Sequence, residues 1–255
     1  MIFVAAGTQD GRELAARLLQ AGYPVTASVV SSYGEKLLQA YPGMVINDEP
    51  LDEDALVGYM KLHEVHVFVD ASHPYAANVS QNAMQACRRL EVPYIRYERQ
   101  SVPFLYDKVY CVDSYEAAAK KAAEFGRNVF LTTGSRNVRA FTESSYLQGH
   151  TITARILPVD KVVAECTELG LTPKNIVALQ GPFSKELNRE LYRQYAADVI
   201  VTKNSGEIGG TDTKLEAAKE LGLPVVMVDR PRIAYDVMAS TFDEVMAFVA
   251  KQAKK

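Results

Sequence analysis

Short runs of β-branched and aliphatic residues recur along this chain and restrict its fold more than any other feature. They are Ile2 to Ala5, Val25 to Val30, Val65 to Val69, Tyr94 to Arg96, Val129 to Thr132, Thr151 to Ile156, Ile176 to Leu179, Val199 to Val201 and Val225 to Val228. Most are nearly continuous apolar segments, the pattern of strands covered on both faces. Helical periodicity fills most of the gaps, at Arg12 to Ala21, Asp54 to Leu62, Ala76 to Leu90, Glu116 to Phe125, Ser184 to Tyr195 and Lys214 to Leu221. Strand and helix in alternation predict an α/β chain of parallel sheets with helices on both sides.

The segment Arg99 to Val109, with Pro103 and little periodicity, breaks the alternation and reads as a crossing between two lobes, 1–100 and 101–255. The last helix, Phe242 to Lys251, fits either lobe. Asp10 with Glu13, Asp113 with Glu116, and Thr213 with Glu216 have capping-box spacing, and Gly22, Gly126 and Gly222 stand where left-handed C-terminal caps belong.

Bulk properties exclude several classes. A net charge of -3 offers no basic face for a nucleic-acid backbone. No stretch approaches the roughly 18 apolar residues that cross a bilayer, and the start of the chain has no secretory pattern, so a cytoplasmic protein without membrane partners is expected. Cys87, Cys111 and Cys166 fit neither a CxxC pair nor zinc-ligand spacing and read as buried thiols, with no protein-bound metal.

In open parallel sheets ligands bind beyond the carboxyl ends of strands, and four such segments are unusual in composition. The first, Gly7, Thr8, Gln9, Asp10, Gly11 and Arg12, opens a helix with small residues that let a phosphate approach backbone N–H groups. It is not a GxGxxG fingerprint, and Asp10, as a cap, would compete for the same donors. The second strand ends in Val30, Ser31 and Ser32 without the acid that would bind an adenosine ribose, which favours NADPH over NADH. The second segment, Asp70 to Asn78, puts Ser72, His73 and Tyr75 on a strand-end rim around Pro74; Ser72 or His73 could instead simply cap the helix that follows. The third, Thr132 to Asn137, combines hydroxyls with Gly134 and Arg136. The fourth, Thr202 to Lys214, carries three glycines and two lysines, more than a plain connection needs. GxxxxGK followed by Ser or Thr is absent, as are the GxSxG elbow and a Tyr followed at the fourth position by Lys.

Taken together, AAGTQDGR, DASHPYAANVSQNAMQACRRLEVPYIRYER, LTTGSR and TKNSGEIGGTDTKLEAAKELGLPVVMVDRP closely resemble the precorrin-6A reductases, including the cobalt-precorrin-6A branch, from about Ile2 to Pro231. The resemblance implies two Rossmann-like lobes with an active-site cleft between them. It also implies an NAD(P)H-dependent oxidoreductase that saturates a double bond of a carboxylate-rich tetrapyrrole in cobalamin biosynthesis. Gly7, Thr8, Gln9, Arg12, Ser31, Ser72, Thr133 and Gly134 would then serve the cofactor, NADPH with NADH as a substitute. Arg136, Lys203, Asn204, Ser205, Gly206 and Lys214 would hold the substrate, and the proton would come from His73, Tyr75, Lys203 or water. A monomer or weak homodimer is expected. A sugar-nucleotide transferase and a non-catalytic anion-binding protein are the rival readings of the same residues.

Overall fold

The computed structural model describes residues 1–30, 32–99, 105–206 and 209–252. It divides into two units: residues 1–100 with 231–255, and residues 101–230. The first unit holds β1 (Ile2–Ala5), α1 (Gln9–Gln20), β2 (Val25–Ser28), α2 (Ser32–Leu38), β3 (Val45–Asn47), α3 (Glu53–Leu62), β4 (Val67–Asp70), α4 (Ala77–Leu90) and β5 (Tyr94–Tyr97). The second holds β6 (Val109–Val112), α5 (Tyr115–Ala122), β7 (Asn128–Leu131), α6 (Arg139–Thr142), β8 (Thr151–Ile156), α7 (Asp160–Glu168), β9 (Ile176–Ala178), α8 (Lys185–Gln194), β10 (Val199–Lys203), α9 (Thr211–Glu220) and β11 (Val225–Val228). The chain then returns to the first unit with β12 (Met238–Ala239) and α10 (Phe242–Gln252).

The boundary expected from sequence, with 101–255 as one lobe, therefore differs at the tail. β12 pairs with β5, and Val245 and Val249 of α10 bury against the first unit's core, so apolar surface draws the tail back.

Each unit is one six-stranded sheet in which every pairing is parallel: β12-β5-β4-β1-β2-β3 in the first and β6-β11-β10-β7-β8-β9 in the second. Alternation along β1 explains why its run is continuously apolar. Ile2 and Val4 join a core with α1 and α10, whereas Phe3 and Ala5 point into a core with α3 and α4. In the second unit Phe130, Ile200 and Met227 pack with Tyr192 of α8 and Ala217 and Ala218 of α9. Cys111 departs from its expected burial because β6 is an edge strand and the thiol is exposed; Cys87 and Cys166 are buried.

Helix ends are built differently from the expected capping boxes. Thr8, Ser114 and Gly210 are the N-caps of α1, α5 and α9, so Asp10 and Thr213 lie inside their helices and Asp113 just outside its own. Shorter side chains one or two residues away reach the first-turn N–H groups: Thr8 Oγ1 accepts from Gly11 N at 3.0 Å and Ser114 Oγ from Ala117 N at 3.1 Å. Gly22 and Gly222 do take left-handed conformations, with φ of 87° and 66°. Gly126 does not cap a helix; its φ is 150°, and a Cβ there would stand 2.4 Å from Asp198 Cβ.

No described helix is long and apolar enough to cross a membrane.

Candidate functional site

The strand orders locate two switch points. In the first unit successive connections run from β1 out through β2 to β3, then return to place β4 on the other side of β1. In the second, β7, β8 and β9 run one way and β10 lies on the opposite flank of β7. The loops diverging at such points leave a crevice at the carboxyl ends of the strands. The four segments singled out in the sequence are the loops after β1 and β4 and after β7 and β10.

At the first switch point, Ala5 and Asp70 are register partners at the strand tips. Thr8 Oγ1 caps α1 and also donates to the Ala71 carbonyl at 3.1 Å, tying the two loops together. Gly11 permits this approach, since a Cβ would fall 2.8 Å from the Ala71 oxygen and 3.1 Å from Ala6 Cα. Gly7 faces open space. The backbone N–H groups of Gly7, Thr8, Gln9 and Asp10 have no acceptor among the described residues, so consecutive donors stand at the positive end of α1. Asp10 does not compete for them. Its carboxylate is buried and lies 3.3 Å from Arg99 Nε, leaving Oδ1 without a hydrogen bond among the described residues. The Arg12 side chain has no ion pair or hydrogen bond among the described residues, and the Gln9 amide bonds Glu13 at 2.9 Å.

Beneath the β4 rim lies a polar network that sequence reading missed. Asp70 Oδ1 accepts from Ser72 N at 3.0 Å and from Arg96 Nη1 at 2.8 Å; Oδ2 accepts from Ser80 Oγ at 2.6 Å and Tyr94 Oη at 2.7 Å. Arg96 also pairs with Glu98 at 2.8 Å, donates to Ser72 Oγ at 3.0 Å and stacks over Tyr235. Burial pushes the Asp70 carboxyl up, but Arg96 and the hydrogen bonds from Ser72, Ser80 and Tyr94 outweigh it, and the net displacement is downward. Ser72 is thus engaged inward. His73 Nδ1 accepts from Tyr75 N at 3.2 Å, which puts the proton of a neutral ring on Nε2. Neither Ser72 nor His73 caps α4, whose N-cap is Ala76. Ser31, expected with the cofactor set, lies outside the described residues.

The second switch point is cationic. Gly134, at φ 83°, turns the chain from β7 into a short 3-10 turn that exposes Arg136. Thr133 is buried, and its hydroxyl has no partner among the described residues. Beyond β10, Asn204, Ser205 and Gly206 are buried; Thr211 Oγ1 accepts from Ser205 N at 3.1 Å, and Gly209 is required because a Cβ would stand 2.3 Å from Ser205 Cβ. Burial, with Arg136 nearby, lowers the Lys203 amine to about 8. Burial, followed by the charges of Arg155 and Lys203, lowers Lys214 to about 7, and Asp212 only partly opposes them. Lys214 Nζ donates to the Gly209 carbonyl at 2.8 Å.

The expected residues therefore fall into two groups. Gly7, Thr8, Gln9, Arg12, Ser72, His73 and Tyr75 stand at the first switch point; Thr133, Gly134, Arg136, Lys203, Asn204, Ser205, Gly206 and Lys214 stand at the second. Arg155 on β8 and Asn188 on α8 join the second group unanticipated. A single cation in the strand ITARI was the available signal, because a strand covered on both faces rarely carries one.

Comparison with known proteins is consistent along the whole chain. The family described as Precorrin-6x reductase CbiJ/CobK matches residues 1–250. The cobalt-precorrin-6A reductase of Priestia megaterium is 45% identical over 100% of both chains, and that of Salmonella typhimurium is 36% identical over 90% of this chain and 87% of its own. A solved structure titled CobK precorrin-6A reductase superposes with a TM-score of 0.79 at 27% identity, covering 98% of this chain and 96% of that one. These relatives favour neither the transferase nor the non-catalytic reading. By sequence along its length and by fold, the chain belongs to the precorrin-6x reductase family of cobalamin biosynthesis.

Proposed function

We propose that the protein reduces one ring double bond of cobalt-precorrin-6A, with NADPH as the hydride source, in the cytoplasm. The observation that carries the reading is the cationic group at the second switch point, Arg136, Lys203 and Lys214, in a chain of this family. A tetrapyrrole bearing several carboxylates matches that charge. The cobalt form is favoured over the cobalt-free form because relatives named cobalt-precorrin-6A reductase range from 45% down to 29% identity, whereas those named precorrin-6A reductase reach no more than 31%. Cobalt enters as part of the substrate.

The first switch point suits a dinucleotide phosphate. The N–H groups of Gly7, Thr8, Gln9 and Asp10 would hold it, the open face of Gly7 admits it, and Arg12 would add a charge-assisted hydrogen bond. When bound, NADPH supplies the hydride. The protein's own part is binding, positioning and charge. Arg136, Lys203 and Lys214 pair with substrate carboxylates and offset the negative charge that arrives on the ring. Lys203, lowered to about 8, holds a proton at neutral pH that it can give up, and it is the donor proposed among Lys203, His73, Tyr75 and water. Thr133 and Gly134 border the same anion-binding loop.

The test is anaerobic mixing of the protein with NADPH and cobalt-precorrin-6A or precorrin-6A, following reduced-nicotinamide absorbance and product mass. Consumption of one NADPH per macrocycle, faster with the cobalt form, supports the reading. No NADPH loss with either macrocycle removes it.

A further inference from the structure

Two basic side chains, Arg155 and Lys214, are buried in the second unit within electrostatic reach of each other, and no carboxylate pairs with either among the described residues. Arg155, on β8, is 6% exposed. Its Nη1 donates to Asn188 Oδ1 at 2.7 Å, and its guanidinium lies 4.0 Å from the centre of the Phe183 ring. Asn188 is itself fully buried and fixed, its amide donating to the Ser184 carbonyl at 3.0 Å and to Thr213 Oγ1 at 3.3 Å. These contacts orient the guanidinium without neutralising it. Tyr192, whose ring is buried nearby, presents a hydroxyl with no hydrogen-bond partner among the described residues. Lys214 on α9 is 9% exposed and bonded only to a carbonyl. Like charges withdrawn from water repel and forfeit hydration, and an anion placed between them would offset both costs.

We infer that Arg155 and Lys214 form a buried receptor for one carboxylate of the tetrapyrrole, and that filling it draws a proton onto the Lys214 amine. The inference rests on the proposed substrate. The planar guanidinium, held by Asn188 and Phe183, meets a carboxylate with two parallel hydrogen bonds. The charged groups facing Lys214 are Arg155 from β8, Lys203 from β10 and Asp212 on its own helix; burial first and then the two cations hold the amine near 7. A carboxylate placed beside it reverses the balance, so Lys214 takes up a proton from solvent on binding. Since the bound form holds more protons, affinity falls as pH rises above about 7, and little uptake accompanies binding at pH 6.

The experiment uses the full chain without cofactor. Succinate and inorganic phosphate are titrated calorimetrically at pH 6, 7 and 8 in buffers of different ionisation enthalpy, with Arg155→Met, Arg155→Lys and Lys214→Met compared after circular dichroism confirms folding. The expected result is anion binding with about half a proton taken up at pH 7, and about tenfold or greater weakening in Arg155→Met. Arg155→Lys keeps the charge but loses the fork, so it binds between the two; Lys214→Met loses the uptake at pH 7. In turnover, Arg155→Met raises the KM for the tetrapyrrole about tenfold and Arg155→Lys raises it by less, each with kcat within twofold and the KM for NADPH unchanged. A rise confined to the NADPH KM would assign the receptor to a cofactor phosphate and overturn the substrate assignment. Equal anion affinity in folded Arg155→Met or Arg155→Lys and the parent overturns the receptor. Anion binding that survives while NADPH oxidation fails would count against the proposed reaction alone.

Discussion

Replacing Asp70 with Asn tests whether the buried network beneath the β4 rim holds the first unit together. The carboxylate accepts four hydrogen bonds, two on each oxygen. Arg96 can only donate, so the Asn carbonyl must face Arg96 and Ser72 N, and its amide must face the Ser80 and Tyr94 hydroxyls. Both hydroxyls can turn to accept. The hydrogen bonds are therefore largely kept, and the loss is the negative charge opposite a guanidinium that is 1% exposed. Removing one member of a buried pair costs about 3–5 kcal/mol, and because Glu98 still pairs with Arg96 the lower end applies, about 3 kcal/mol. Asp70→Ala also strands both hydroxyls and should reach the upper end. With urea dependences of about 1–3 kcal/mol per molar, the midpoint should fall by about 1–3 M. The chain contains no Trp, so unfolding is best followed by far-UV circular dichroism and tyrosine fluorescence, with the two units fitted separately. A change below about 1 kcal/mol in the first unit's transition would refute the weight given to this network.

Other consequences are open to direct measurement. Because the folded pKa of Asp70 is depressed, its contribution to stability is fully present above the ordinary value of 3.8 and is lost as pH falls through the lower folded value, a dependence Asp70→Asn should lack in acid-unfolding curves. Lys203 and Lys214 are depressed in the opposite chemical sense: the folded chain binds fewer protons than the unfolded one between about 7 and 10.5, so the second unit of the ligand-free protein should become more stable as pH rises through that window, by at most about 1.4 kcal/mol per proton per pH unit. A stability that falls over that window in pH-dependent urea titrations would contradict the assignment. Gly11→Ala gains helix propensity of about 1 kcal/mol but meets backbone at 2.8 Å, and overpacking of about 1–3 kcal/mol should outweigh it, lowering urea stability and raising the NADPH KM together. Arg12→Ala should raise the NADPH KM about tenfold or more while urea stability stays within about 0.5 kcal/mol, and unchanged cofactor kinetics would remove Arg12 from the cofactor site.

Much of the fold was legible because parallel strands buried on both faces must be continuously apolar, as Phe3 and Val4 show by serving opposite cores from adjacent positions. The same logic hid β3 and β12, whereas β6, the apolar run VYCV, was hidden by its position at the end of the irregular crossing segment. Val45 and Met238 are exposed on edge strands, where the sequence has no need of an apolar run. The tail's return to the first unit was illegible because an apolar stripe on α10 does not by itself name the core it joins; the pairing of β12 with β5 and the burial of Val245 and Val249 do. The four ligand-facing loops were legible as polar, glycine-bearing interruptions after strands. Their grouping into two switch points required the strand order. Capping was misread through spacing alone, since Asp10 and Glu13 satisfy a capping-box pattern while Asp10 in fact lies beside Arg99, distant in sequence. Arg96 and Arg155 were overlooked for a shared reason: each interrupts an apolar strand, and the partners that explain it, Asp70 and Asn188, lie on other elements.

Labelled cofactor tests the proposed chemistry most directly. NADPH carrying deuterium in the 4-pro-R or the 4-pro-S position is supplied with cobalt-precorrin-6A in ordinary water, and the product is weighed by mass spectrometry. The account predicts one deuterium in the product from one of the two labelled cofactors and none from the other, with the second hydrogen drawn from solvent. Product free of deuterium with both cofactors would contradict direct hydride transfer.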